Sequence, residues 1–355
     1  MDQSPLNKVR PYLITKKLVP ENQETPIHFQ KCDNVNENLF YRRNHFPYPK
    51  FTSSFYFLPI EGLVYTPRVF SLQEIYSFPA KTINLVLECS GNKRELFEPK
   101  VFGEQWGKGA MSQGIWKGVS LRSLMKYTEL LDTAKEIVFE GYDYGERSDS
   151  NQLHHFSRSL PIEKALDPDT ILAYEYNHHP IPFKHGFPLR LIVPGWYAMA
   201  SVKWIKKIIV IDHEFKGPFQ AVDYVYYPNK ENDHRKAPVN SIHINSTIQS
   251  PLNMQVLNTG VYEINGIAWT GSGQITTVEI SIDEGKTWKT CELASSTEKY
   301  AWVRWKYKWD ALKKGEYTIK SKATDSLGNI QPLKPIWNRK GYGYNAIDCI
   351  KVKIE

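Results

Sequence analysis

The sequence predicts an α+β domain followed by an immunoglobulin-like β-sandwich. The chain has 355 residues, more than one ordinary hydrophobic core covers, so two domains are expected. Strand-like and helix-like runs are mixed until the charged, turn-rich stretch PNKENDHRKAP at 228–238, and only strand patterns follow it. We therefore expect an N-terminal surface arm at 1–35, a first domain at 36–230 and a second domain at 231–355.

The first domain is predicted to combine strands with a helix. Short apolar runs typical of strands occur at 53–62, 83–89, 135–143, 170–176, 189–195 and 206–215. The segment LRSLMKYTELL at 121–131 has apolar residues at helical spacing and predicts a helix. Loops rich in His, Pro and Gly, such as NHHPIPFKHGFP, connect these runs. Such a mixture indicates an α+β domain.

The second domain shows a different pattern. VYEINGIAWTG, TTVEISIDEG, KTWKTCEL, YAWVRWKYKW and GEYTIKSKATDSLGN alternate with period two and are divided by short turns. No helical pattern is evident there, and the tail at 336–355 ends in another strand-like run. This pattern is typical of an antiparallel β-sandwich of about a hundred residues.

Composition and charge exclude several classes of protein. No run of eighteen apolar residues occurs, so we expect no membrane span. The N-terminus has neither the pattern of a secretion signal nor a twin-arginine pattern, which favours a cytoplasmic location. The four cysteines lie far apart without CxxC spacing, which argues against a zinc knuckle. The net charge is +7 but no block of basic residues occurs, so small anions are favoured over nucleic acid as partners.

Cys89 is the first candidate for chemistry. In INLVLECSGNKREL an apolar strand ends at this cysteine, and a turn brings Lys93 and Arg94 directly after it. Two neighbouring cations should lower the pKa of the thiol and favour the thiolate, which is the form that binds a metal. Taken alone, a cysteine at the end of a strand is more often a small inert core residue.

Two further segments make a metal site the better interpretation. FYRRNHFPYP at 40–49 carries two arginines, an asparagine and a histidine, and HGFPLRLIVPGWYAMASVKW at 185–204 carries His185, Arg190 and Lys203. With the Cys89 segment, in this order and spacing, they resemble the sulfite oxidase family of molybdopterin-dependent oxidoreductases. WKGVSLRSLM, FEGYD, LAYEYN, VDY near 223 and IWN near 337 extend the resemblance over almost the whole chain beyond residue 35.

The resemblance implies a Mo-molybdopterin cofactor, with about one molybdenum per chain, in a sulfite-oxidase-type molybdopterin-binding catalytic domain at 36–230. Cys89 matches the family's thiolate ligand, and thiolate is a soft ligand suited to such a metal. The cofactor's polar edge and phosphate need many polar partners. The matching positions are Tyr41, Arg42, Arg43, Asn44, His45, Asp143, His185, Arg190, Ser201, Val202 and Lys203.

The same resemblance implies an anion pocket and a reaction. Arg43 and Arg94 match arginines of the pocket, Tyr224 matches its tyrosine, and Trp106 is placed as its tryptophan. The expected activity is oxygen-atom transfer to a small oxyanion, with sulfite oxidised to sulfate; reduction of nitrate or sulfoxides on the same fold is the alternative. A bacterial-type member without a haem domain would pass its electrons to a separate acceptor, such as a cytochrome. The domain at 231–355 would serve homodimerisation.

Several alternatives stay open at this stage. In animal sulfite oxidases an arginine stands two positions after IWN. Here either Arg339 or Lys340 could take its place. Tyr226 and Tyr227 compete with Tyr224, although counting from His185 favours Tyr224. A thiol hydrolase built on Cys89 lacks a nucleophile-elbow pattern and an orienting partner in the sequence. A binding module that has lost its metal would not need the cysteine, arginines and histidine together.

Overall fold

The computed structural model describes residues 12–51, 55–147, 149–294 and 298–355. No helix in this part of the chain is long and apolar enough to cross a membrane. Within these residues, each apolar run that predicted a strand contains one.

The N-terminal segment forms a hairpin of β1 (Ile14–Lys17) and β2 (Asn22–Glu24). All three residues of β2 are buried, which differs from the expected surface arm. Gln23 exchanges both backbone hydrogen bonds with Arg42, so β2 lies directly against one of the predicted cofactor segments. Sequence patterning missed this because the strand is short and polar.

The first domain contains two five-stranded sheets. Its strands are β3 (Phe57–Gly62), β4 (Arg68–Ser71), β5 (Ala80–Glu88), β6 (Met111–Ser120), β7 (Glu136–Arg147), β8 (Gln152–Pro161), β9 (Ile171–Tyr176), β10 (His179–Pro180), β11 (Arg190–Ile192) and β12 (Ile205–Ile211). One sheet has the order β10-β9-β6-β5 with β11 beside β9, and the other has the order β4-β3-β12-β7-β8. All of these pairs are antiparallel except β12 with β3.

The helices of this domain are short: α1 (Leu72–Ser77), α2 (Leu121–Met125) and α3 (Ile162–Ala165). Ser71 and Glu74 form a capping box that fixes the start of α1. The predicted helix at 121–131 ends after Met125, because the hydroxyl of Thr128 bonds the carbonyl of Met125 and Glu129 takes a left-handed conformation with φ 50°. The apolar residues after Met125 therefore lie in a turn and an isolated β-bridge, not in a helix.

The second domain consists of two facing sheets. After the small pair β13 (Val225–Tyr226) and β14 (Ala237–Pro238) come β15 (Asn245–Ser250), β16 (Gln255–Leu257), β17 (Gly260–Trp269), β18 (Ile275–Ser281), β19 (Lys289–Thr290), β20 (Glu292–Leu293), β21 (Val303–Ala311), β22 (Gly315–Asp325) and β23 (Asp348–Ile354). The sheet orders are β15-β17-β21-β20 and β16-β23-β22-β18-β19.

Both sheets of the second domain contribute to one apolar core. Ile264 and Trp305 come from the first sheet, and Val278, Ile319 and Ile350 come from the second. The alternation of buried and exposed residues along β23 shows why period two was readable in the sequence. No α-helix occurs among the described residues from 236 to the end, as expected. The immunoglobulin-like character and the domain limits stay predictions.

Candidate active site

An inner cavity forms where the segments at 40–45, 89–90, 185–203 and 224 meet in the first domain. β5 ends at Glu88 and so delivers Cys89 to this cavity, while β7 contributes Asp143. The predicted cofactor residues that line the cavity are Tyr41, Arg42, Arg43, Asn44, His45, Asp143, His185, Arg190, Ser201 and Lys203. The fold thus brings residues as far apart in sequence as Tyr41 and Lys203, which are 162 positions apart, to the wall of one cavity.

The wall of the inner cavity carries polar atoms without protein partners. Buried atoms with no hydrogen bond in the described part of the chain include Arg42 Nε, Ser90 Oγ, Asp143 Oδ1, His185 Nε2 and Arg190 Nε. Unpaired buried polar atoms are costly, so a set of them on one wall indicates a polar ligand with both donors and acceptors.

Burial controls the charge state of several wall residues. It lowers the pKa of His45 and of His185 well below the usual histidine value, so both imidazoles are neutral near pH 7. Burial also raises the pKa of Asp143 and lowers the pKa of Lys203. Their mutual attraction opposes both shifts, because each favours the charged form of the other.

The prediction about the Cys89 thiol was wrong in direction. Burial raises the pKa of Cys89 above its ordinary value, and Arg43 and Arg94 offset this only in part. Lys93 does not face the thiol: its ammonium donates to Asn245 Oδ1 at 2.7 Å in the second domain. Adjacency in sequence was misleading because Lys93 has a left-handed backbone, with φ 62°, which turns its side chain away. Binding of a metal would itself displace the thiol proton.

An outer cavity of about 620 Å³ adjoins the inner one. Arg43, His45, Cys89 and Tyr224 line both, so the sulfur lies where the two spaces meet. The outer walls are completed by Arg94, Phe102, Gly103, Glu104, Val222, Asp223, Tyr227, Asp233, Arg339, Lys340 and Tyr342.

Two guanidinium groups give the outer cavity its positive character. Arg94 donates only to backbone carbonyls, from Nε to Lys340 at 3.0 Å and from Nη1 to Glu104 at 3.0 Å. Arg43 donates to the backbone carbonyl of Asn44 and contacts the ring of His45 at 3.3 Å, and it forms no salt bridge in the described ranges. Neither guanidinium is therefore held in a salt bridge within the described part of the chain, which leaves both able to bind a small dianion.

Three glycines make room for the Arg94 side chain. A Cβ atom on Gly91 would lie 2.6 Å from Arg94 Nη2, and one on Gly103 would lie 3.0 Å from Nη1. Gly341 approaches from the second domain, where a Cβ would lie 2.9 Å from Arg94 Cγ. The position of this guanidinium is thus fixed by close backbone approach from three segments.

Tyr224, which the count from His185 favours as the pocket tyrosine, lines both cavities. Its hydroxyl is 2.7 Å from His45 Nε2, and its ring stacks on Tyr342 with centroids 5.4 Å apart. Burial raises the pKa of both phenols, that of Tyr342 to about 12, so both are protonated at neutral pH. Tyr226 instead stacks on His243 outside both cavities, and Tyr227 lies at the outer rim.

Two predicted site residues do not reach the cavities in the described structure. Val202 and Trp106 are fully buried, and neither lines the inner or the outer space. Trp106 packs in the apolar cluster around Cys89 and Tyr41, so it supports the wall from behind. Both Arg339 and Lys340 line the outer cavity, and each is close to a carboxylate, Asp233 and Asp223 respectively.

Sequence reasoning missed Glu21 and Tyr342. Glu21 binds Arg42 at 2.7 Å and Lys184 at 2.8 Å, so it neutralises part of the cationic wall from the N-terminal segment. Tyr342 stands in GYGYN, and nothing in that pattern shows that it would stack on Tyr224. No group of three or more metal-binding side chains of the His, Cys, Asp and Glu types occurs in the described ranges.

Family models match both halves of the chain. Residues 45–219 match the oxidoreductase molybdopterin binding domain, and residues 236–355 match the Mo-co oxidoreductase dimerisation domain. Sulfite oxidase of Gallus gallus is 33% identical over 344 residues, which cover 91% of this chain and 74% of that protein. The chain belongs to the sulfite oxidase family. This membership confirms the fold class of a molybdopterin-binding domain followed by a β-rich dimerisation domain.

Other members of the family differ in function. Mitochondrial sulfite oxidase of Drosophila melanogaster is 34% identical over 94% of this chain, and nitrate reductase [NADH] 1 of Phaseolus vulgaris is 31% identical over 89%. The chain spans 62% of the Drosophila protein and 39% of the plant protein. Among solved structures, sulfane dehydrogenase SoxCD from Paracoccus pantotrophus superposes with a TM-score of 0.82 at 26% identity, covering 99% of this chain and 86% of that one.

The residues of the inner cavity fit the family's molybdopterin cofactor. Its unpartnered donors on Arg42 and Arg190 suit phosphate and ring oxygens, and the unpartnered oxygen of Asp143 suits ring N–H groups. Cys89 offers the soft thiolate at the inner cavity's junction with the outer one.

Proposed function

We propose that this protein is a molybdenum-dependent oxidoreductase that oxidises sulfite to sulfate and passes the electrons to a separate acceptor. One observation carries the proposal: Cys89 lies at the junction of two cavities. The inner cavity is polar and fits the cofactor, and the outer cavity contains two arginines that form no salt bridge within the described ranges. The balanced reaction takes sulfite and water to sulfate, two protons and two electrons. The molybdenum cofactor, when bound, supplies the two-electron redox change and the oxygen transfer.

Arg43 and Arg94 would bind and orient the anion. Neither guanidinium group forms a salt bridge within the described ranges, so a dianion would gain charge-assisted hydrogen bonds there. Sulfate is a dianion like sulfite and would bind the same two arginines, so release of the product needs an exit. The outer cavity, with exposed Phe102 at its wall, supplies such a route.

Tyr224 and His45 would handle hydrogen bonding at the reacting atoms. The imidazole of His45 is neutral because burial lowers its pKa, so Nε2 can accept a hydrogen bond from the Tyr224 hydroxyl. The phenol oxygen of Tyr224 then keeps its lone pairs for water or substrate on the cavity side. Stacking on Tyr342 holds the ring in that orientation.

Metal analysis together with steady-state assays tests this proposal. Protein from a host that makes the cofactor should contain about one molybdenum per chain and should turn over sulfite with an artificial one-electron acceptor. An electron paramagnetic resonance signal should appear after sulfite is added. Protein that lacks molybdenum under these conditions would refute the assignment.

Nitrate reduction is the second candidate, because a plant nitrate reductase is 31% identical over 89% of the chain. Sulfoxide reduction is tested beside it as the remaining alternative on this fold. Assays with sulfite, nitrate and methionine sulfoxide separate the three. Turnover in a reductase assay alone would replace sulfite oxidation with that reaction.

We also propose that the protein is a homodimer, which the match of residues 236–355 to a dimerisation domain supports. Sedimentation equilibrium should give twice the chain mass. A cytoplasmic location stays a prediction, and cell fractionation with an antibody to the protein would test it.

A further inference from the structure

The turn that carries Cys89 is held by the second domain on both sides. Before Cys89, the carboxylate of Glu88 accepts a hydrogen bond from Trp269 Nε1 at 2.8 Å. After it, the carbonyl of Ser90 accepts one from the backbone N–H of Gly343 at 2.8 Å. The residues adjoining the cysteine therefore depend on contacts from two separate parts of the second domain.

Lys93 makes the most deeply buried of these connections. Its side chain is 0% exposed, and its ammonium donates to Asn245 Oδ1 at 2.7 Å and to the Ser246 carbonyl at 2.9 Å. Asp348 Oδ1 lies 3.8 Å from the same nitrogen and also pairs with Lys108 at 2.8 Å. These acceptors all belong to the second domain, whereas Lys93 stands four positions after Cys89.

A buried lysine with a left-handed backbone destabilises the folded chain unless its contacts compensate. Burying an ammonium group destabilises the folded chain unless its partners compensate. The left-handed backbone of Lys93, with φ 62°, adds strain that a glycine would avoid. An apolar side chain would fill the same space but would not fix the position of one domain relative to the other. Directed hydrogen bonds do fix that position.

The turn transmits this register to the sulfur. The N–H of Asn92 bonds the Cys89 carbonyl at 2.8 Å, and the N–H of Lys93 bonds the Gly107 carbonyl at 2.7 Å. Asn92 Oδ1 also accepts from the N–H of Ala110 at 3.1 Å. Movement of Lys93 would therefore displace the turn and the thiol together.

We propose that Lys93 is a positioning residue for Cys89, and that its contacts with Asn245, Ser246 and Asp348 make the second domain part of the metal site. This inference rests on the proposed function in that it takes Cys89 as the molybdenum ligand. It assigns to the second domain a role beyond dimerisation. It also explains why a lysine so near the thiol does not face it.

Lys93→Met is the test variant. Methionine keeps an unbranched side chain of similar length and removes the charge, while Asp348 keeps its pair with Lys108. The matched control is Arg304→Met, because Arg304 also joins the second domain to the remainder of the chain, through Asp33 at 2.7 Å, and lines neither cavity. Lys93→Arg serves as the conservative variant that retains charge and donors.

Three readouts are compared with the melting temperature of each variant. Alkylation of Cys89 by a maleimide is followed in metal-free protein by peptide mass mapping, which separates it from Cys32, Cys291 and Cys349. Lys93→Met should speed this alkylation about tenfold, because the turn opens more often. It should also lower molybdenum retention by about 10-fold to 100-fold, the scale expected when a residue that orients a metal ligand is lost. The electron paramagnetic resonance spectrum of the molybdenum that remains should shift.

Arg304→Met should change only the melting temperature, and Lys93→Arg should restore most of the alkylation protection. The inference is wrong if Lys93→Met matches Arg304→Met in alkylation rate, molybdenum content and spectrum. If Lys93→Met has no cooperative unfolding transition, Asn245→Ala replaces it, and wild-type values in that variant overturn the inference. Absence of molybdenum from the wild-type protein would refute the proposed function instead, and the alkylation comparison would still decide the role of Lys93.

Discussion

Replacing Arg94 by Met should weaken the binding of sulfite strongly. Arg94 is one of two arginines of the outer cavity that form no salt bridge within the described ranges, and the residue is only 6% exposed. A hydrogen bond to a charged group contributes about 1.5–3 kcal/mol, and the anion would lose at least one. Since 1.4 kcal/mol corresponds to roughly a factor of ten, KM for sulfite should rise about 10-fold to 100-fold. The change should be smaller in kcat, because Arg94 acts mainly by binding.

Steady-state kinetics at constant ionic strength measures this effect. Arg94→Lys is the matched control, because it keeps the charge but loses the planar fork and should raise KM less. Melting temperatures are needed as well, since Arg94 also donates to carbonyls of Lys340, Gly341 and Glu104. A folded Arg94→Met variant with the wild-type KM would refute the assignment of this residue to the anion pocket.

Three further predictions follow from the same geometry. Gly91→Ala places a methyl group 2.6 Å from Arg94 Nη2, so the guanidinium must shift and KM for sulfite should rise several-fold with little change in molybdenum content; an unchanged KM would contradict the tight cradle. Tyr224→Phe removes the hydroxyl bonded to His45 and should lower kcat by about 10-fold to 100-fold without loss of molybdenum, on the scale of a positioned proton-handling group. Burial would raise the pKa of Asp348, but the charges of Lys108 and Lys93 outweigh burial and hold that pKa below 3.8. The ion pairs of Asp348 therefore stabilise the folded chain above about pH 4, and this stabilisation is lost as the pH falls through the lowered pKa of the folded state. Asp348→Asn should therefore flatten the fall in melting temperature between about pH 4 and pH 2, and an unaltered slope would exclude this carboxylate as a source of acid instability.

Much of the fold could be predicted because period-two alternation is a direct consequence of strand geometry. β23 alternates buried and exposed residues without interruption, and its last five residues, IKVKI at 350–354, carry the same alternation of apolar and charged side chains. The helix at 121–131 was predicted too long, because apolar spacing cannot distinguish a helix from a turn that buries the same residues. β2 escaped prediction, since its buried residues are polar and bond to the segment at 42–44.

The candidate site was predictable where a local motif carries its residues, and less so where packing decides. The segment at 40–45 and the residues His185, Arg190, Ser201 and Lys203 line the inner cavity together, as the family resemblance implied. The direction of the Lys93 side chain was not predictable, because it depends on a left-handed backbone and on partners 152 residues away. The prediction of a lowered pKa for Cys89 was wrong for a related reason. Burial depends on the tertiary structure, and here it outweighs the effect of the neighbouring charges.

The central claim is that Cys89 binds molybdenum at the junction of the two cavities. X-ray absorption at the molybdenum edge tests it directly, on wild-type protein and on Cys89→Ser loaded in the same host. We expect one sulfur ligand fewer in the variant, with the dithiolene sulfurs retained and sulfite turnover lost. An identical sulfur shell in both proteins would show that the metal is held elsewhere.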